Sequence, residues 1–218
     1  NHPKSAVRSP QYFLQPHNSW TLVTAGSFSS RYFPKSFLID TASNCIYFEN
    51  ELHDMAILGI LNSKLGSHFL DIINPTINYS CGVVGLVPFL EDNNQDVRTK
   101  VSNCITLSTL DWDSRETSWN FEQSPLLNEP NALEQAYQTW QEQVTQDFFQ
   151  LHTNEEELNR IFIDIYGLQE ELTPEVKLKD ITILQEELNG KDLEALEPIF
   201  REKGKDAISL PINKAEVL

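Results

Sequence analysis

The residues predict an α+β fold: a small mixed α/β domain over 1–94, followed by an acidic, mainly α-helical region over 95–218. Short runs rich in β-branched and aromatic residues gather before position 50, the signature of strands. Apolar residues at spacings of three and four take over after position 50 and again after Pro130, the signature of helices. Charge divides along the same line. Residues 1–90 balance Lys4, Arg8, Arg31, Lys35 and Lys64 against Asp40, Glu49, Glu51, Asp54 and Asp71, so the whole net charge of −16 lies in 91–218.

Element by element, Trp20–Thr24, Phe37–Asp40 and Cys45–Phe48 are expected strands. The turn chemistry of Thr41-Ala-Ser-Asn44 makes the last two a hairpin. Between the first two lies a polar, basic and aromatic loop, Gly26–Lys35. From Leu52 to Ile73, the spacing of Leu58, Leu61, Leu65, Phe69 and Ile72 predicts a helix. A bend or break is expected at Asn62-Ser63 and Gly66, and a stop at Asn74-Pro75, because the residue before proline avoids helical geometry. Thr76–Tyr79 and Val83–Val87 read as two more strands, punctuated by Gly82 and Gly85. The polar run Glu91–Asp96 marks the boundary, and a helix is expected over Gln95–Leu107.

Asp111–Phe121 reads as an irregular aromatic segment. Beyond Pro130, Leu133, Tyr137, Trp140, Val144, Phe148 and Leu151 form one helical seam. Thr153-Asn-Glu-Glu156 fits a capping box opening the next helix, whose apolar face is Leu158, Ile161, Phe162 and Ile165 and whose stop is Gly167. Thr173-Pro174 opens a short element; Gly190 and Gly204 end two helical pieces, with Pro198 breaking or starting the second. Asn213–Leu218 reads as a helix start cut short, and the polar stretch Asn1–Pro10 as the start of an internal piece of a longer protein.

Most chemistry is excluded. No GxGxxG, GxxxxGKS, HExxH or GxSxG pattern occurs, and the histidines at 2, 17, 53, 68 and 152 lack metal-ligand spacing. Asp111, Asp113 and Glu116 lack the spacing and the glycine of a calcium loop. Cys45, Cys81 and Cys104 are too scattered for a disulfide framework; they read as small core residues in a reducing, cytoplasmic setting. No apolar run reaches the roughly 18 residues of a membrane-spanning helix.

The best functional candidate is the loop Ser29–Lys35. Ser29, Ser30 and Arg31 can hold a phosphate or a base edge, Tyr32 can stack, and Lys35 adds charge. The alternative is a structural loop whose aromatic rings pack inward while Arg31 and Lys35 solvate the surface. A pI near 4.6 argues against nucleic acid, but the charge division confines that argument to the second half.

Leu58-Gly-Ile-Leu-Asn-Ser-Lys64 followed by Asn74-Pro-Thr-Ile-Asn78 resembles the target-recognition region of large adenine-specific DNA methyltransferases. Ser30-Arg-Tyr-Phe-Pro-Lys35, Trp112-Asp-Ser-Arg-Glu-Thr-Ser-Trp119 and Asn154–Gln169 agree with it. The pattern is most similar to the PglX-like methyltransferases of BREX phage-defence systems, and more broadly to type IIG restriction–modification enzymes. The resemblance runs from about position 20 to the C-terminus.

That resemblance implies a parent enzyme in which a Rossmann-like domain binds S-adenosylmethionine and methylates the exocyclic amine of adenine, while a recognition domain selects the site. This chain departs from the family at the chemistry. The catalytic Asn-Pro-Pro-Tyr motif is missing, and Asn74-Pro-Thr-Ile lacks the second proline and the aromatic residue that position a flipped base. The implied role is a recognition and C-terminal helical piece with no catalytic, cofactor-binding or metal residues. Double-stranded DNA would meet Ser29, Ser30, Arg31, Tyr32 and Lys35, with Lys64 and Asn78 as further contacts. The acidic helices would pack on the recognition domain, on the catalytic domain or on other defence-system proteins. An alternative is an acidic protein-interaction or DNA-mimic module that never touches DNA.

Overall fold

A computed structural model describes residues 9–47, 51–90, 94–128 and 133–216. The fold is α+β, and the chain divides into two compact units. One comprises Asn1–Val101 with Ile161–Leu172; the other comprises Ser102–Arg160 with Thr173–Leu218.

In the first unit, β1 (His17–Thr21) is the centre of a three-stranded antiparallel sheet, flanked by β2 (Arg31–Phe33) and β3 (Ser43–Ile46). Ser19 faces Arg31 on one side and Cys45 on the other. Strand alternation then puts Asn18, Trp20, Tyr32, Asn44 and Ile46 on one face and His17, Ser19, Arg31, Phe33 and Cys45 on the other. The Trp20 face carries the core, in which Trp20 clusters with Phe28, Leu61, Leu70, Tyr79 and Val84. Two polar groups of that face converge on one acceptor: Trp20 Nε1 and Asn44 Nδ2 both donate to the Tyr79 carbonyl, at 2.7 and 3.0 Å.

The expected helix over Leu52–Ile73 is present and breaks where expected, into α1 (Glu51–Asn62) and α2 (Lys64–Ile73). Ser63 makes the break. Its hydroxyl donates to Ile60 O at 2.7 Å and accepts from Gly66 N at 3.1 Å, so one side chain closes one helix and caps the next. The corner is tight: a Cβ on Gly66 would collide with the Ile60 carbonyl, and a Cβ on Gly59 would lie 2.8 Å from Val101 Cγ2. Asn74 ends α2, as its following proline predicts.

The strands differ from expectation. Phe37–Asp40 is not a strand; Ser36 takes φ 84° and the Asp40 carboxylate accepts the Ala42 N–H, turning the chain. The partner of β1 is instead Arg31–Phe33, so the expected hairpin between the second and third strands does not form. The first strand is shifted to His17–Thr21, and Phe48 lies outside the described residues. Thr76–Tyr79 forms only a bridge, Val23 to Asn78. Cys81–Val84 is a short helix, α3, because Ser80 caps it through the Val83 N–H and diverts the expected Val83–Val87 strand. Cys81 is exposed, not a core residue; Cys45 and Cys104 are half-buried, and all three are free thiols.

The second unit, which holds most of α4 and α5, is mainly helical. α4 (Gln95–Asp113) starts as expected and runs past Leu107, so Asp111–Asp113 are its last residues and not part of the irregular segment. α5 (Leu133–Tyr166) is one continuous helix of 34 residues. No new helix starts at Thr153; its hydroxyl bonds back to Phe149 O at 2.8 Å, inside the helix. The predicted seam is real from Tyr137 to Leu151, and Phe148 and Leu151 are among the most deeply buried side chains. Gly167 stops the helix at φ 68°.

Thr173-Pro174 opens no helix. The chain stays extended from there to Lys177, and its backbone is held by side chains of its neighbours. Val176 N donates to Glu156 Oε1 at 2.9 Å, Leu178 N to Glu197 Oε2 at 2.7 Å and Leu184 N to Asp111 Oδ1 at 3.0 Å. An extended chain beside helices has no ladder partner, so carboxylates supply the acceptors. Val176, Leu178, Ile181, Ile183 and Leu184 then insert between Phe148, Phe149, Leu151, Leu193 and Leu210. α6 (Gly190–Lys203) begins at Gly190, because Asn189 caps it, and carries Pro198 inside it without ending. A 3-10 turn over Lys214–Glu216 stands where the last helix start was expected.

Candidate nucleic-acid interface

The loop singled out by composition becomes half strand. Its central residues Arg31, Tyr32 and Phe33 form β2, an edge of the sheet. Alternation turns Tyr32 to the Trp20 side, where it is half-buried, and leaves Arg31 exposed on the other side. Phe33 stacks on His17 with ring centres 5.3 Å apart, and Phe37 meets Phe33 edge-on at 5.5 Å. These rings fix the end of β2.

Ser30 is buried. Its hydroxyl donates to Ser19 O at 3.3 Å, so it is occupied by the fold. Asn62 completes the hold: its Oδ1 accepts from Ser30 N and its Nδ2 donates to Ser30 O, both at 2.8 Å. An asparagine amide here mimics a neighbouring strand, satisfying both backbone groups of one residue. Asn62 was missed as a contributor, although it sits inside the Leu58–Lys64 motif; its signal was the motif itself, not its residue type.

Ser29 and Arg31 remain outward, with Arg31 Nη1 3.4 Å from Ser29 Oγ. Lys35 follows Pro34 and is exposed, and among the described residues neither Arg31 nor Lys35 forms an ion pair with a carboxylate. Lys64 is exposed at the first position of α2, two residues beyond the asparagine that holds Ser30. The Ser30–Asn62 frame has Ser29 and Arg31 as chain neighbours at one end and Lys64 two residues on at the other, while Lys35 follows the strand. Asn78 is not connected to it: it bridges to Val23, past the end of β1, and its carbonyl accepts from Asn74 Nδ2 at 3.1 Å. The Asn74–Asn78 motif is a self-tied turn, in which Thr76 Oγ1 donates to Asn74 Oδ1 at 2.7 Å.

An open cleft of about 420 Å³ lies beside the start of this loop, lined by Gly26, Ser27, Phe28, Ser67, Asp71 and Tyr79, and none of the exposed cations lines it. Among the described residues no group of three or more His, Cys, Asp and Glu is placed to hold a metal. The described sheet is antiparallel and has no glycine-rich strand-to-helix turn of the kind that cradles a nucleoside cofactor. What the arrangement presents is a guanidinium at a sheet edge beside an exposed hydroxyl, Ser29, with Lys35 in the turn beyond.

No family model matches the chain. It is 36% identical over 188 residues to the adenine-specific methyltransferase PglX of Lacticaseibacillus casei (strain Zhang), covering 84% of this chain and 16% of that protein. This chain is related to a region of PglX-like methyltransferases. A second relative is the adenine-specific methyltransferase BrxX of Escherichia coli O9:H4 (strain HS), 30% identical over 177 residues, covering 80% of this chain and 14% of that protein. The chain thus spans about one sixth of the length of the relatives it matches. No helix among the described residues is long and apolar enough to cross a membrane.

Proposed function

We propose that this chain is the DNA target-recognition region, with a following helical region, of an adenine-specific DNA methyltransferase of a phage-defence or restriction–modification system. The observation that carries the reading is exposed Arg31 on a sheet edge held at Ser30 by Asn62, with exposed Lys35 in the turn just beyond, in a part of the chain whose formal charge is zero over residues 1–90. A guanidinium reads guanine or phosphate, and an ammonium adds phosphate affinity. Residues 1–94 form the DNA-reading domain in this proposal, with Ser29, Arg31 and Lys35 making contact, Tyr32 and Ser30 shaping the strand, and Lys64 and Asn78 as outer contacts. S-adenosylmethionine and the methyl transfer belong to other parts of the enzyme, since the residues here carry no motif for either. The helical region, 95–218, then faces protein. Its partners are the catalytic domain and other defence proteins, in the cytoplasm.

The test is methylation by the full-length enzyme with Arg31 and Lys35 changed to alanine. Loss of site selectivity together with weaker duplex binding is expected. Unchanged affinity and an unchanged methylation site would sink the assignment. The DNA-mimic alternative finds less support: Glu156 and Glu197 pair with Arg201, Glu194 with Lys179 and Glu134 with Lys214, so these four acids face the protein's own cations.

A further inference from the structure

The last turn of α4 and the segment that follows it carry two indoles the fold does not bury. Trp119 is 95% exposed and Trp112 is 54% exposed. Leaving large aromatic side chains in water forgoes the burial that usually stabilises a fold, and such residues mark interaction sites. The backbone beneath them is well held. Arg115 N donates to Trp112 O at 3.1 Å and Ser118 N to Arg115 O at 2.9 Å. The buried Ser118 hydroxyl crosses the turn to Asp113 Oδ1 at 2.6 Å and accepts the Asn120 N–H at 3.1 Å. Arg115 anchors the base, shared among Asp111, Glu186 and Glu187 at 3.1, 3.0 and 2.9 Å. A preformed turn lowers the ordering cost that a partner must offset.

The surroundings are anionic. Between Leu110 and Glu122 stand four carboxylates and one guanidinium, and that guanidinium is already shared among three carboxylates. Glu116 and Glu122 are exposed. Nucleic acid is repelled from such a patch, and so is a second copy of a chain carrying −16. A cationic side chain is the complement: arginine or lysine stacks on an indole face while carboxylates neutralise its charge. We propose that the Trp112–Trp119 turn docks an arginine- and lysine-bearing segment of a partner protein. The site is independent of the DNA-reading surface, and either proposal can fail alone.

The test is a titration of the chain with an arginine- and lysine-rich model peptide, reading the indole N–H resonances of its four tryptophans. Saturable shifts at Trp112 and Trp119, with Trp20 and Trp140 unmoved, are expected. Trp119→Ala, which removes an exposed side chain and spares the fold, should weaken the peptide about tenfold. Equal affinity in Trp119→Ala would reduce the binding to diffuse charge attraction and overturn the proposal. So would no binding at all, indole shifts produced by chain concentration alone, or shifts produced by duplex DNA.

Discussion

Asn62 joins a helix end to a strand with one side chain, and that single amide decides whether Arg31 stands on ordered backbone. Its two bonds to Ser30 are part-buried, so cutting them leaves a donor and an acceptor that water reaches poorly. Asn62→Ala is expected to cost about 1–3 kcal/mol, read as a lower urea midpoint. Gly66→Ala is expected to cost more, because its new Cβ meets backbone at Ile60, which has no rotamer to retreat into. If Gly66→Ala unfolds at the wild-type midpoint, the helix corner is looser than described. The sequence motif around Leu58–Lys64 thus has a physical content: Gly59 and Gly66 permit close approach, Ser63 caps, and Asn62 holds the neighbouring strand. None of these four is a contact residue in the proposed reading.

At the scale of elements, neighbouring acids on α5 illustrate opposite electrostatic roles. Glu155 is half-buried, and desolvation, with the Asp180 charge nearby, raises its pKa from 4.5 to about 7. Burial also works against the charge of Glu156, but the Val176 N–H and Arg201 outweigh it and lower that pKa. A raised carboxyl pKa means the folded state holds its proton longer, so that stability is present below pH 4.5 and is lost as pH rises through about 7. Glu155→Gln should therefore raise the melting temperature at pH 8 and leave it unchanged near pH 4. Glu156→Gln should do the reverse, lowering the melting temperature at pH 8, where the charged form is stabilising, with the difference fading as pH falls below 4.5. Helices were legible wherever an apolar seam fed a core, as in α1, α2 and α5. Strands were less so. Arg31–Phe33 and Phe37–Asp40 have similar β-propensity, and what separates them is register against β1, which no local window contains. For the same reason the exposure of Arg31 and Lys35 could be foreseen from their type, whereas the burial of Ser30 could not, since it depends on Ser19 and Asn62.

For the molecule as a whole, the acidic composition has a structural use. Asp111, Glu156 and Glu197 accept backbone N–H groups from a segment that no strand accompanies, so part of the −16 is architecture. Under the DNA-reading proposal the cations of this chain are few, and that limits the salt response. Changing both Arg31 and Lys35 to alanine in the full enzyme should flatten the slope of log affinity against log salt by about 2. An unchanged slope would place the phosphate contacts elsewhere. The first unit is also discontinuous: Ile161–Leu172 completes what Asn1–Val101 begins, and Phe162 lies against Gly59 of α1. On a ribosome adding about 5–20 residues per second, the stretch up to Leu172 takes about 4–14 s to emerge after Val101. Through that interval the nascent chain shows the unfinished face of α1 to water, and to whatever chaperone waits at the exit.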